Sequence, residues 1–120
     1  MTLIAQLLTV LVATLHVGFL VLEMFLWTRP IGRRVFRQTP EAARSSATLA
    51  ANQGLYNGLL AAGLVIGLVA GGASGALLVR VFLGCVVVAG LYGALTVSWR
   101  ILLVQAAPAA AALAASWPTG

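Results

Sequence analysis

Apolar residues fill this chain in four runs, separated by short polar breaks. The first runs from Leu3 to Trp27 and stops at Arg29-Pro30. The second builds from about Leu49 and ends at Gly71-Gly72. The third begins at Ala76 and reaches Trp99, and the fourth runs from Ile101 to Trp117 before Pro118. A helix crosses the roughly 30 Å hydrocarbon layer with about 20 residues. Residues 76–117 in a single helix would measure roughly 63 Å, so Ser98-Trp99-Arg100 is predicted to be a tight turn. The pattern predicts an all-α polytopic membrane protein, a four-helix transmembrane bundle in one domain over residues 1–120. Its spans are expected at about 3–27, 49–71, 76–98 and 101–117, with a loop at 28–48.

Composition agrees with this pattern. Hydrophobic residues make up 62% of the chain and charged residues 8%, with a mean hydropathy of +1.07. A soluble domain carries about 25% charged residues, so a cytosolic enzyme, a secreted disulfide domain and a disordered tail are excluded. One cysteine cannot form an internal disulfide. One cysteine and one histidine do not make a structural zinc site, so no metal and no cofactor are expected.

Charge orients the bundle. All seven basic residues are arginines, and Arg29, Arg33, Arg34, Arg37 and Arg44 fall in the first loop. Arg100 marks the connection between the third and fourth runs. The positive-inside rule puts both on the cytoplasmic side, with both termini and the Gly71–Gly75 turn outside. Arg80 departs from this scheme and is expected to snorkel to the interface. Trp27, Trp99 and Trp117 stand at predicted span ends, where interfacial anchors belong. Residues 1–28 have no basic leader and no small-residue cleavage site, so a retained span is expected rather than a signal peptide. The sequence pI of 11.3 does not signal nucleic-acid binding, because the arginines sit where topology wants them.

The first loop carries its own signals. Ile31, Val35 and Phe36 among arginines suit a short amphipathic helix over Pro30 to Gln38, lying on the membrane surface. Thr39-Pro40-Glu41 reads as a helix start, with Thr39 as N-cap. Helix two is therefore expected to begin near Pro40.

Ionisable and polar groups within the spans are costly and need a reason. Thr9, His16 and Glu23 are seven residues apart and share one stripe of the first helix. Seven residues rise roughly 10 Å, so His16 and Glu23 cannot touch directly. Asn52, Gln53, Tyr56 and Asn57 cover an arc of about 140° at the start of the second span, while Gly54, Gly58 and Ala61 form the opposite face. The glycine face suits a close helix contact. The polar arc either lines a cleft or forms another packing seam. Tyr92 and Thr96 in the third span and Gln105 in the fourth lie at similar depth, and Pro108 is placed to kink the last helix. The candidate ligand-binding set is thus Glu23, His16, Asn52, Gln53, Tyr56, Asn57, Tyr92, Thr96 and Gln105, expected to converge in one buried polar site in the cytoplasmic half. Glu23 is the candidate proton-exchanging group, and Cys85 reads as a small apolar residue.

The string from His16 through Glu23-Met24-Phe25-Leu26-Trp27, the arginine loop with Phe36 and Thr39-Pro40, and Ala50-Ala51-Asn52-Gln53-Gly54-Leu55-Tyr56-Asn57-Gly58 resemble a known family. Gly90-Leu91-Tyr92-Gly93-Ala94 and Gln105 with Pro108 extend the likeness over nearly the whole chain. It is a family of small bacterial four-helix membrane proteins classed only as a domain of unknown function. The resemblance implies the four-helix fold and a bacterial inner membrane, and it brings no catalytic assignment. The epimerase label that some members carry finds no support, since no glycine fingerprint follows a strand.

Three functions fit these residues. The first is a small-molecule carrier or binder, expected as a homodimer, with Glu23 exchanging protons. The second is a membrane-embedded enzyme on a lipid or isoprenoid substrate, with Glu23 and His16 or Tyr92 as the acid-base pair and Asn52, Gln53 and Asn57 holding charge. The third is an accessory subunit of a larger membrane assembly. The expected partners are the lipid bilayer and a lipid or small amphipathic ligand, with no nucleic acid.

Overall fold

The computed structural model describes residues 1–118, and the last two positions of the expected domain lie outside it. The described chain is all helical. Helix α1 spans Leu3–Met24, α2 Pro30–Phe36, α3 Pro40–Ala70, α4 Gly72–Thr96 and α5 Ala107–Ala115, with a π-helical turn at Leu102–Ala106 before α5. Helices α1, α3 and α4, of 22, 31 and 25 residues, are long and apolar enough to cross a membrane. The fourth expected span is represented by the apolar run Leu102–Ala115, which at 1.5 Å per residue is about 21 Å long, shorter than a typical crossing.

Local chemistry sets the ends. Thr2 caps α1 through its Oγ1, which accepts the Ala5 N–H at 3.2 Å. Helix α1 stops at Met24, three residues before the end expected from hydropathy. Arg29 is extended (φ −77°, ψ 159°), as the residue before a proline must be, and Pro30 opens α2. Thr39 Oγ1 accepts the Ala42 N–H at 3.2 Å, the predicted cap of α3. Gly71 and Gly72 both have positive φ, 62° and 58°, which only glycine adopts without strain. Those two residues complete the turn, so α4 starts at Gly72 and the longer Gly71–Gly75 turn expected from sequence shrinks. Ser98–Arg100 is a tight turn, with the Ile101 N–H donating to Ser98 O at 3.0 Å. The proline at 108 lacks an N–H and crowds the carbonyl four residues back. The wider π turn just before it, where the Ala107 N–H reaches Leu102 O, absorbs that conflict.

The chain forms two compact units, Met1–Leu15 with Leu60–Gly120, and His16–Leu59. The first unit holds the apolar core. Val12 and Ala13 of α1, Ala61 and Leu64 of α3, Val79, Leu83 and Val86 of α4, and Ala109 and Ala112 of α5 pack together. Small residues bring the backbones close. A Cβ on Gly90 would stand 2.8 Å from the Ala106 nitrogen, and one on Gly67 2.8 Å from a Val79 methyl. Arg80 reaches the C-terminal end of α5. Its Nη2 donates to Ser116 O at 2.6 Å, and its guanidinium lies 4.6 Å over the Trp117 ring. The cation thereby meets the carbonyls that α5 leaves unsatisfied at its C-terminus.

The second unit contains the end of α1, all of α2 and the first half of α3. Gly32 is buried because α2 lies directly on the chain at Leu26 and Trp27, where a Cβ would meet Leu26 O. The Trp27 and Phe36 rings meet at 4.6 Å. Trp27 Nε1–H donates to Ser46 Oγ at 3.0 Å, and that hydroxyl donates on to Ala42 O at 2.7 Å.

Candidate functional site

Within the second unit, α1 and α3 meet through glycine. Gly54 faces Leu20, Glu23 and Met24, and Gly58 faces Leu20. On a helix the two glycines share one face, and Asn57 lies at its edge, about 60° round from Gly54. Because neither carries a side chain, α3 approaches α1 closely enough for the short Asn57 amide to reach the carboxyl. Asn57 Nδ2 donates to Glu23 Oε2 at 2.9 Å. Asn57 is 9% exposed and Glu23 is half-buried. The bond has ordinary length for an N–H donor to oxygen, and glycine keeps competing bulk away from it. Trp27, one turn beyond Glu23, ties the same end of α1 to Ser46. Ser46 carries no signal in the sequence, because 19 residues separate it from Trp27.

The other sequence candidates separate into distinct surroundings. His16 is buried, its ring edge-on to Phe19 with centroids 5.7 Å apart. Thr9, on the same stripe but in the first unit, is buried and donates to Ala5 O at 2.7 Å. Asn52, Gln53 and Tyr56 are exposed, Tyr56 by 62%. The polar arc is therefore split: Asn57 turns in with the glycines, and its three companions turn out. The physical reason is the glycine stripe, which chooses the face of α3 that seats against α1.

In the first unit, Tyr92 is 71% exposed and Thr96 is also exposed. The Thr96 hydroxyl donates to its own helix at Tyr92 O, 2.7 Å away, a bond that uses its one hydrogen and leaves it only as an acceptor. Gln105 is half-buried within the π turn. An open apolar depression of about 630 Å³ on α4 is lined by Val81, Gly84, Cys85, Val88 and Tyr92. Within the second unit, Glu23 and Asn57 are the candidates brought together by a hydrogen bond. Among the described residues no group of three His, Cys, Asp or Glu side chains is placed to hold a metal ion.

Comparison with known proteins gives the pair its context. A family model described as "Protein of unknown function (DUF1304)" matches residues 10–117. The chain belongs to the DUF1304 family. It is 34% identical over 119 residues to the uncharacterized protein YpaA of Lactococcus lactis subsp. lactis (strain IL1403), covering 98% of this chain and 99% of that protein. No solved structure matches. The match takes in Glu23 and Asn57 together with α2, so each lies inside the DUF1304 region.

Proposed function

We propose that this DUF1304 protein is an integral membrane protein of the bacterial inner membrane, and that it binds or carries a small molecule with Glu23 as the proton-exchanging group. Its four spans would be α1, α3, α4 and the shorter Leu102–Ala115 segment. The arginine-rich residues 28–48 would face the cytoplasm, and Leu3 and Trp117 the outer side. The surface supports a lipid environment. Large apolar side chains stand open along the long helices, among them Val69 at 82% and Leu95 at 87%, and an apolar surface this extensive needs a partner or a bilayer.

The observation that carries the carrier reading is the Glu23–Asn57 bond. The chain has two acids: Glu41, at the start of α3, is exposed and pairs with Arg44, whereas Glu23, near the end of α1, is half-buried. Its partner is a neutral amide rather than an arginine. An amide orients one carboxyl oxygen without supplying a fixed positive charge, so the group remains free to gain and lose a proton or to exchange it for a cationic substrate. Asn52, Gln53 and Tyr56, exposed on α3, supply polar groups for a second copy to cover, which supports a homodimer.

Native mass spectrometry of the protein released from its own membrane, wild type beside Glu23→Gln, tests this. A dimer that retains a small molecule, with the molecule lost in the variant, is the expected result, and its mass names the substrate class. Recovery of a chemically altered lipid would move the assignment to an enzyme. A ligand-free monomer, identical in the variant, would sink the carrier reading and favour an accessory subunit.

A further inference from the structure

Four arginines stand within nine residues, Arg29, Arg33, Arg34 and Arg37, on and beside α2. Among the described residues no ion pair reaches them. Glu23 accepts from Asn57, and Glu41 pairs with Arg44 at 3.6 Å. Arg29, Arg34 and Arg37 are exposed, and the half-buried Arg33 has an Nε without a hydrogen-bond partner among the described residues. Helix α2 is docked along its Gly32 and Phe36 side. At 100° per residue the next face carries Ile31 and Val35, each 52% exposed, and Arg34 borders it on the far side. Phe25, just before α2, is 65% exposed. An apolar strip with a cation at its free edge is the order of a headgroup–acyl boundary, and a free anion in solution gives the strip nothing to contact.

The backbone adds an independent observation. Arg37 closes α2 in the left-handed region, φ 53° and ψ 50°. Helices end this way often, but the residue is usually glycine, and a long side chain there costs strain. Arginine occupies the position despite that cost. The cluster contains no lysine, and the planar guanidinium fork matches two phosphate oxygens where an ammonium meets them as a point charge.

We propose that α2, with Arg29, Arg33, Arg34 and Arg37, is a docking surface for the phosphate headgroups of anionic phospholipids, with Phe25, Ile31 and Val35 entering the acyl layer beneath. This rests on the membrane reading above. The full chain is reconstituted in vesicles of equal phosphatidylglycerol and phosphatidylcholine, extracted gently, and its retained lipid counted by native mass spectrometry. Wild type retains phosphatidylglycerol in clear excess. Each arginine removed lowers that excess by up to about fivefold, the weight of one basic residue at an anionic leaflet. Arg37→Gly is the decisive variant, because it relieves the backbone while deleting the charge. It melts no lower than wild type and still loses headgroup preference. Arg100→Gln, the same charge change in the turn before the π segment, leaves the preference within about twofold if the effect belongs to α2 rather than to net charge.

Retention of the two lipids in the supplied ratio overturns the proposal while leaving the membrane reading intact. Equal losses in Arg37→Gly and Arg100→Gln overturn it too, as a mere net-charge effect. Preference abolished by inorganic phosphate at constant ionic strength assigns the cluster to a free anion and overturns the lipid claim. Failure of the protein to enter vesicles of either lipid removes the membrane reading and this proposal together.

Discussion

The contact that makes the Glu23–Asn57 bond possible can be tested by adding one methyl group at two places. Gly18 of α1 and Gly54 of α3 both sit within long helices. A Cβ on Gly18 meets nothing within 4 Å. A Cβ on Gly54 would stand 2.7 Å from Met24 Cγ, 3.0 Å from Glu23 Cβ and 3.2 Å from Leu20 O. Both substitutions to alanine bring the same gain in helix propensity, about 1 kcal/mol. That gain cancels when the two variants are compared, so the difference reports crowding and what crowding displaces. Carbon atoms prefer roughly 3.5–4.0 Å. The Met24 side chain can rotate away, but Glu23 Cβ and the Leu20 carbonyl belong to the frame of α1, which must withdraw by about half an ångström or more. Overpacking of this kind costs about 1–3 kcal/mol. The same withdrawal stretches the Asn57–Glu23 bond, worth about 0.6 kcal/mol for a typical interhelical pair in a membrane protein. Gly54→Ala should therefore be less stable than Gly18→Ala by about 1.5–3.5 kcal/mol. Reversible unfolding in mixed micelles, followed by tryptophan fluorescence, measures the difference. Equal stability of the two variants would refute the close approach of α1 and α3, and with it the argument that glycine positions Asn57 on the carboxyl.

Other substitutions probe the remaining links. A double-mutant cycle between Glu23→Gln and Asn57→Leu should return a coupling of about 0.6–1.7 kcal/mol in micelle unfolding; additive effects would mean the bond contributes nothing. Arg80→Gln removes a charged donor to Ser116 O and a cation over Trp117, for a loss of about 1–3 kcal/mol. It should also shift the emission of that tryptophan in a Trp27→Phe, Trp99→Phe background. Pro108→Ala restores the missing N–H and should convert the π turn at Leu102–Ala106 into regular α-helix, visible as altered amide exchange over those residues.

Much of this protein was legible along the chain, because the information was local. The start of α3 follows from Thr39-Pro40-Glu41, since a cap and a first-turn proline act within four residues of one another. The turn at Ser98–Arg100 follows from length alone, because no helix of 42 residues fits one bilayer. The stretch of α2 follows from Pro30 and from apolar residues spaced among arginines. Even the glycine contact was visible as Gly54 and Gly58 on one face of a helix.

Tertiary structure decided what periodicity could not. Spacing placed Asn52, Gln53, Tyr56 and Asn57 on one broad arc but said nothing of where a neighbouring helix would cut across it. The seat of α1 on Gly54 and Gly58 made that cut, burying Asn57 against Glu23 and leaving the other three exposed. Depth in the membrane suggested that Tyr92 and Thr96 belonged to the same site. Rotation about the helix axis, which depth does not specify, leaves both exposed in this chain. The partners of Arg80 were not legible, because Ser116 and Trp117 lie 36 and 37 residues away and only packing brings them near. An amide chosen as the partner of a buried carboxyl is a long-range fact of the same kind. Hydropathy and local chemistry along the chain make these segments helices with apolar surfaces; the approach of one backbone to another selects which few polar atoms meet.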